Sequence, residues 1–309
     1  MDTPRWQIGL VGYGEVGRIL AEDLRAQGLA VHACDLKLDA ASTAGALREH
    51  AAAHGVQLQP SHAALAAAAD LIVSAVTASQ TVAVAEACAP ALKRGAFFLD
   101  FNSASPGAKR RAAALVNDAG GRYVEGAVMT SVPPYRIKVP LLLGGPDAPA
   151  LLPLINALGF AAKVASDELG VASATKMCRS VMIKGLEAML IESFSAARFH
   201  GVEDALIASL HETFPGIEWE RQAAYFFQRV IEHGRRRSEE MREAAETVRE
   251  AGLTPWSASS TAERQAWVAG LAESGVFGER AADGFARNAD WRVEADRILA
   301  QTLPPRDIS

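Results

Sequence analysis

Cysteine is scarce. The 309 residues contain three, Cys34, Cys88 and Cys178, far apart and without CxxC spacing. That argues against a disulfide framework and against a zinc site, and it suits a reducing compartment. Aromatic residues make up 6%, and no basic stripe interleaves with them as a nucleic-acid surface requires. The one dense basic run, Arg235-Arg236-Arg237, is followed at once by Glu239 and Glu240, the pattern of a mixed-charge helix face. The net charge is −5, with no bias towards polyanions. No apolar run approaches the roughly 18–20 residues that cross a bilayer. The first residues lack the basic-then-apolar layout of a signal peptide, so the expectation is a cytoplasmic protein without membrane or nucleic-acid partners.

What is present is alternation. The short apolar run Gln7–Val11 leads into "GYGEVG" and then a helical stretch ending at Gly28. Further strand-like runs lie at 29–35, 70–76, 95–102, 123–129 and 139–145, with Ala-rich helical segments at 61–69, 79–88 and 106–119 between them. Strands alternating with helices imply a doubly wound α/β sheet covered on both faces. Beyond about residue 165 only helical stretches remain, at 170–200, 203–211, 218–233, 234–251, 260–273 and 290–301. The expected organisation is therefore a Rossmann-type α/β domain over 1–165 and an all-α domain over 166–309.

Gly12, Gly14 and Gly17 spell G-x-G-x-x-G directly after a strand and at the opening of a helix. The first glycine permits the tight turn, the second admits a pyrophosphate and the third lets helix and strand pack closely. The turn Gly12, Tyr13, Gly14, Glu15, Val16 and Gly17 is thus the expected cofactor-binding loop, with the Glu15 side chain an exposed carboxylate rather than a base. Asp35 ends the second strand, 23 positions after Gly12, where a carboxylate accepts from ribose hydroxyls and repels a 2′-phosphate. NAD is the preferred cofactor. Lys37 and Lys93 keep NADP open.

"SATKMCRSVMIKG" (173–185) places Lys176, Ser180 and Lys184 at i, i+4 and i+8 on one helix face. A lysine works as an acid/base when desolvation or a neighbouring cation lowers its pKa towards neutrality. For Lys184 the expected role is an ion pair with Glu187 or Glu192, with substrate contact as the alternative. Ser180 is balanced between a substrate hydrogen bond and helix packing. "TSVPPYRIK" (130–138) reads as a loop, either a cover for the substrate or a plain surface connection. His233 with Arg235 to Arg237 is the polar cluster of the second half; the expected role is an exposed helix face paired i,i+4 with Glu239 and Glu240, with contact to a substrate carboxylate as the alternative. The remaining histidines read as scattered, with no metal-ligand spacing.

Four stretches, "GLVGYGEVG" (9–17), "LDFNSASP" (99–106), "VEGAVMTSVPP" (124–134) and "GVASATKMCRS" (170–180), resemble the β-hydroxyacid dehydrogenases. Within them the chain is similar to the 6-phosphogluconate dehydrogenase-like branch with a distinct C-terminal domain. The resemblance implies that Lys176 is the catalytic lysine. It implies substrate contacts from Asn102 and Ser103, and a carboxylate-holding segment at Met129, Thr130 and Ser131. Ser180 stands where the family has a substrate-binding asparagine, and Val76 and Thr77 form the ledge beneath the nicotinamide ribose. It also implies a homodimer through the helical domain.

Decarboxylating members carry a glutamate seven positions after the lysine; here Ile183 stands there. Imine reductases usually lose the lysine, which this chain keeps. The expected activity is NAD(P)-dependent hydride transfer on a small hydroxy acid or related carbonyl compound. The alternatives are an imine reductase-like enzyme of the same fold and a non-catalytic NAD(H)-binding redox sensor.

Overall fold

A computed structural model of the chain describes residues 6–281 and 284–302. Its first compact unit, up to Cys178, is built on an eight-stranded sheet in the order β3-β2-β1-β4-β5-β6-β7-β8. The strands are β1 Gln7–Val11, β2 Ala30–Cys34, β3 Gln57–Leu58, β4 Leu71–Ser74, β5 Phe97–Asp100, β6 Arg122–Val128, β7 Pro140–Gly144 and β8 Ala161–Ser166. Between them run α1 Glu15–Ala26, α2 Ala41–His54, α3 His62–Ala68, α4 Thr81–Cys88, α5 Pro106–Asp118 and α6 Ala148–Ala157.

Side-chain alternation explains why helices cover both faces. Ile8, Leu10, Leu71, Val73, Phe97 and Leu99 belong to one core cluster with residues of α1, α2 and α6. Val11, Ile72 and Phe98, on the opposite pleat, join α3, α4 and α5 in another. A strand buried on both faces reads as a continuous apolar run, which is how these strands look in sequence. One feature departs from a purely parallel sheet. β6 pairs with β7 antiparallel, and β7 with β8 parallel, so the last two strands run against the rest. The short β3 and the half-polar β8 (AAKVAS) carry no strong apolar signal and were absent from the expected strands.

The chain order reverses at β1. It moves outward to β2 and β3, then returns to β4 on the other side. Ligands of such sheets bind beyond the carboxyl ends of the strands at this reversal.

The second unit is helical and begins at Arg179, within α7 Val171–His200. The compact units thus divide between Cys178 and Arg179, beyond the end of the last strand at Ser166. α8 Glu203–Thr213, α9 Trp219–Glu250, α10 Trp256–Glu273 and α11 Trp291–Thr302 complete it. Phe194, Phe227, Val230, Val268, Trp291 and Ile298 form its core.

The two helices expected at 218–233 and 234–251 are one 32-residue helix. Gly234 does not break it. A Cβ there would lie 2.7 Å from the Gln265 carbonyl oxygen, so the glycine serves the close approach of α9 and α10. Among the described residues no helix is long and apolar enough to cross a membrane.

Candidate active site

The three loop glycines hold their places for three different reasons. Gly12 has φ +91°, and a Cβ on it would strike the Ala75 carbonyl oxygen at 2.3 Å. A Cβ on Gly17 would lie 2.0 Å from the Gly12 carbonyl oxygen. Gly14, the N-cap of α1, has nothing within 4 Å. Crowding at the outer glycines and open space at the middle one, over the N-terminus of a helix, is the cradle that a dinucleotide pyrophosphate fits.

Asp35 braces that cradle. Its Oδ2 accepts from the Tyr13 backbone N–H at 2.7 Å and its Oδ1 from the Lys37 N–H at 2.8 Å. Each oxygen retains a lone pair for ribose hydroxyls. The Tyr13 side chain is fully buried and turned away towards α2, where its hydroxyl meets His50 Nδ1 at 2.8 Å; only its backbone belongs to the turn. Burial pushes that phenol up to about 12. Glu15 is exposed, as expected, and Val16 is half-buried. Lys93 leaves the list of cations that could meet a 2′-phosphate. Its Nζ is held by Asp70 Oδ1 and the Ala68 carbonyl, both at 2.8 Å, at the amino end of β4. Lys37 remains exposed beside Asp35.

Beyond β4 and β5 a buried polar lattice holds the backbone at Val76. Asn102 Oδ1 accepts from the Val76 N–H at 2.7 Å, and its Nδ2 donates to Ser74 Oγ at 3.0 Å. Through these two bonds Asn102, 3% exposed, holds Val76 in place. Thr77 stands exposed next to it. Beneath lies Asp100, fully buried. It accepts from the Asn102 N–H at 2.8 Å and the Tyr123 hydroxyl at 2.7 Å, and it pairs with Lys109 at 3.1 Å. Burial and the Asp100 charge keep the Tyr123 phenol protonated well above its usual range. Asp100 and Lys109 escaped the sequence reading because a charged pair at 0% and 1% exposure has no apolar periodicity to betray it.

Lys176 meets this lattice. Its Nζ lies 2.5 Å from Ser103 Oγ, and the side chain is half-buried. The residue that aims α7 is Glu125 on β6, also unnoticed in the sequence. Its Oε1 accepts from the Gly170 and Ala172 N–H groups at 3.0 and 2.9 Å, and its Oε2 from the Ser173 hydroxyl at 2.9 Å. A carboxylate over the first turn satisfies orphan amides and complements the helix dipole. At the end of β6, Met129 is half-buried and bonded through its N–H to the Pro140 carbonyl, while Thr130 and Ser131 are exposed.

The segment 130–138 is tied down. Arg136, at φ 53°, donates to Asp23 Oδ1 at 2.8 Å and Glu22 Oε2 at 2.7 Å, and the Ile137 N–H reaches Asp23 Oδ2 at 3.0 Å. It is a connection docked on α1.

Ser180 and Lys184 face the interior of the helical unit. Lys184 pairs with Glu240 at 2.6 Å, not with Glu187 or Glu192, and its Nζ donates to Ser180 Oγ at 3.2 Å. Both residues are 6% exposed. Burial lowers the Lys184 pKa, and Glu240 opposes this. The basic run divides three ways. Arg235 pairs with Glu273 across to α10, Arg236 with Glu240 one turn on, and buried Arg237 with Glu187. Only the middle pair follows the expected i,i+4 pattern. Burial and the surrounding arginines push His233 down to about 4. On α2, His50 and His54 stand at i,i+4, so these two are not the scattered histidines the sequence suggests.

Residues 7–146 match the family described as the NAD binding domain of 6-phosphogluconate dehydrogenase, and residues 197–268 match a domain of unknown function, DUF1932. A conserved hypothetical protein from Sinorhizobium meliloti 1021 is 37% identical over 96% of this chain and 97% of its own, with a TM-score of 0.74. An uncharacterized 28.5 kDa protein of Methanothermus fervidus is 27% identical over 81% of this chain and 93% of its own. The Mycobacterium tuberculosis 3-hydroxyisobutyrate dehydrogenase, solved with L-serine, shares the fold at 18% identity and a TM-score of 0.69, over 86% of this chain and 94% of its own. The glycine cradle, the strand reversal above which it sits and these matches together place the chain in the 6-phosphogluconate dehydrogenase-like NAD(P)-binding family of dehydrogenases and reductases, in the branch with a DUF1932 C-terminal domain.

Proposed function

We propose that the protein is an NAD(P)-dependent oxidoreductase acting on a small hydroxy acid or the corresponding carbonyl compound, with Lys176 as general acid and base. The observation that carries this reading is the 2.5 Å contact between Lys176 Nζ and Ser103 Oγ. A continuous set of contacts joins that pair to the dinucleotide turn. Ser103 follows Asn102, Asn102 holds the Val76 amide, and Ala75 closes against Gly12.

Gly12, Gly14, Gly17 and the α1 amides would hold a dinucleotide, with Asp35 at the adenosine ribose, and when bound it would supply the hydride chemistry. Lys176 Nζ accepts the substrate hydroxyl proton in oxidation and returns it in reduction. Ser103 Oγ serves either state, because a hydroxyl accepts from an ammonium and donates to a neutral amine. Thr130 and Ser131 offer hydroxyls to the substrate carboxylate. NAD is preferred over NADP because the Asp35 carboxylate repels a 2′-phosphate. The retained lysine favours C–OH over C=N substrates.

The Lys176→Ala variant tests the assignment. Turnover falls by about 10²–10⁴-fold while dinucleotide affinity stays unchanged. Turnover near that of the parent protein overturns it. A thermal-shift screen of hydroxy acids, ketones and cyclic imines, each with NAD and with NADP, identifies the substrate class, and a bound dinucleotide without any turnover points to a sensor instead. A reducing, cytoplasmic setting fits the three free cysteines. A homodimer through the helical domain fits the exposed apolar Met182, Met189, Leu253 and Trp256, and size-exclusion chromatography at micromolar concentration checks it.

A further inference from the structure

Glu22 on α1 and His50 and His54 on α2 present one ligand atom each, all within 4.8 Å of one another. We propose that they form a binding site for a borderline divalent transition-metal ion of the zinc kind, distinct from Lys176 and bordering the dinucleotide turn through the Tyr13 side chain.

Two histidines at i and i+4 project from one helix face, the spacing by which a helix chelates such an ion. The helix opposite contributes a carboxylate. His50 Nε2 lies 3.0 Å from Glu22 Oε1, and the rings of His50 and His54 stack with centroids 4.5 Å apart. Two imidazole nitrogens and one carboxylate oxygen suit zinc, cobalt, nickel or copper, with the remaining position left for water. Metal–nitrogen bonds of about 2.0 Å require the donors to draw closer than they stand here. The exposed His54 ring is free to turn for this, whereas His50 and Glu22 are already restrained.

Those restraints are the second reason for the assignment. Each of these two ligands is held on the atom it does not offer. The Tyr13 hydroxyl lies 2.8 Å from His50 Nδ1, and Arg136 donates to Glu22 Oε2 at 2.7 Å. Outer partners of this kind orient metal ligands and set the histidine tautomer. A metal on His50 Nε2 requires the neutral tautomer with its one proton on Nδ1, which then donates to the Tyr13 oxygen. Arg136 adopts a positive φ to make its contact, a conformation that two ion pairs to α1 hold in place. Side-chain exposure rises from 15% at His50 to 30% at Glu22, with His54 exposed, so the site opens to solvent on one side.

Untagged full-length protein, stripped with a chelator, is titrated with Zn²⁺ by calorimetry and with Co²⁺ by visible absorption. One ion per chain is expected at micromolar affinity, weakened at least tenfold in His54→Ala and in Glu22→Gln. The His54→Ala change is on the exposed face of α2, and circular dichroism checks that the fold is kept. No binding by the parent protein, or equal binding by the parent and His54→Ala, overturns the proposal.

Discussion

Glu125 and Gly144 face each other across the antiparallel β6–β7 pair, and a Cβ built on Gly144 would lie 2.2 Å from Glu125 Oε1. The glycine leaves the space through which the carboxylate reaches the first turn of α7. Replacing Gly144 with Ala displaces Glu125 and frees the amides of Gly170 and Ala172. The expected result is a loss of about 1–3 kcal/mol in stability, read from urea unfolding. A fall in kcat larger than Glu125→Asp produces is expected as well, because Lys176 lies one turn beyond the released end. Unchanged unfolding in Gly144→Ala would show that the helix start is held by other means.

The buried Asp100–Lys109 pair makes a separable prediction. Lys109→Met leaves the Asp100 carboxylate buried with hydrogen bonds but no counter-charge, at an expected cost of about 3–5 kcal/mol. Adding Asp100→Asn recovers part of that loss by removing the stranded charge. Equilibrium denaturation of the single and double variants measures both.

Cofactor choice is expected to turn on Asp35. In Asp35→Ala the 2′-phosphate meets no opposing charge, and the Tyr13 and Lys37 amides lose their acceptor. The ratio of kcat/KM for NAD to that for NADP is expected to fall at least tenfold, about 1.4 kcal/mol. Lys93→Ala leaves the ratio unchanged, since that lysine is spent on Asp70.

His233 links stability to acidity. Its folded-state pKa, about 4, lies below the unfolded value near 6.5, so the unfolded chain binds the proton more readily. The stabilisation is complete above about pH 6.5 and is lost as pH falls towards 4. The groups acting on it are Arg236, Arg229 and Arg237, which repel its charge, and Glu232, which favours it. In His233→Gln the slope of melting temperature between pH 6.5 and 4.5 is expected to be shallower than in the parent. An identical slope would remove His233 as its source.

The strands and the glycine turn were legible in the amino-acid order because their causes are local or periodic. Five residues such as Gln7–Val11 in an apolar run, three glycines at fixed offsets and an acid 23 positions on follow from backbone sterics and burial, which every copy of such a segment obeys. Lys176 was singled out by spacing and resemblance alone. What it touches, Ser103, lies 73 positions away, and the chain order does not state that distance. The same holds for Glu125 over α7, for Gly234 against Gln265, for Lys184 on Glu240 and for the meeting of Glu22 with the two histidines of α2. In each case a side chain finds its partner only after sheet and helices have packed. A buried charge is tolerable only where a counter-charge or donor has been brought to it. Linear position carries no record of that pairing, so folding had to supply it.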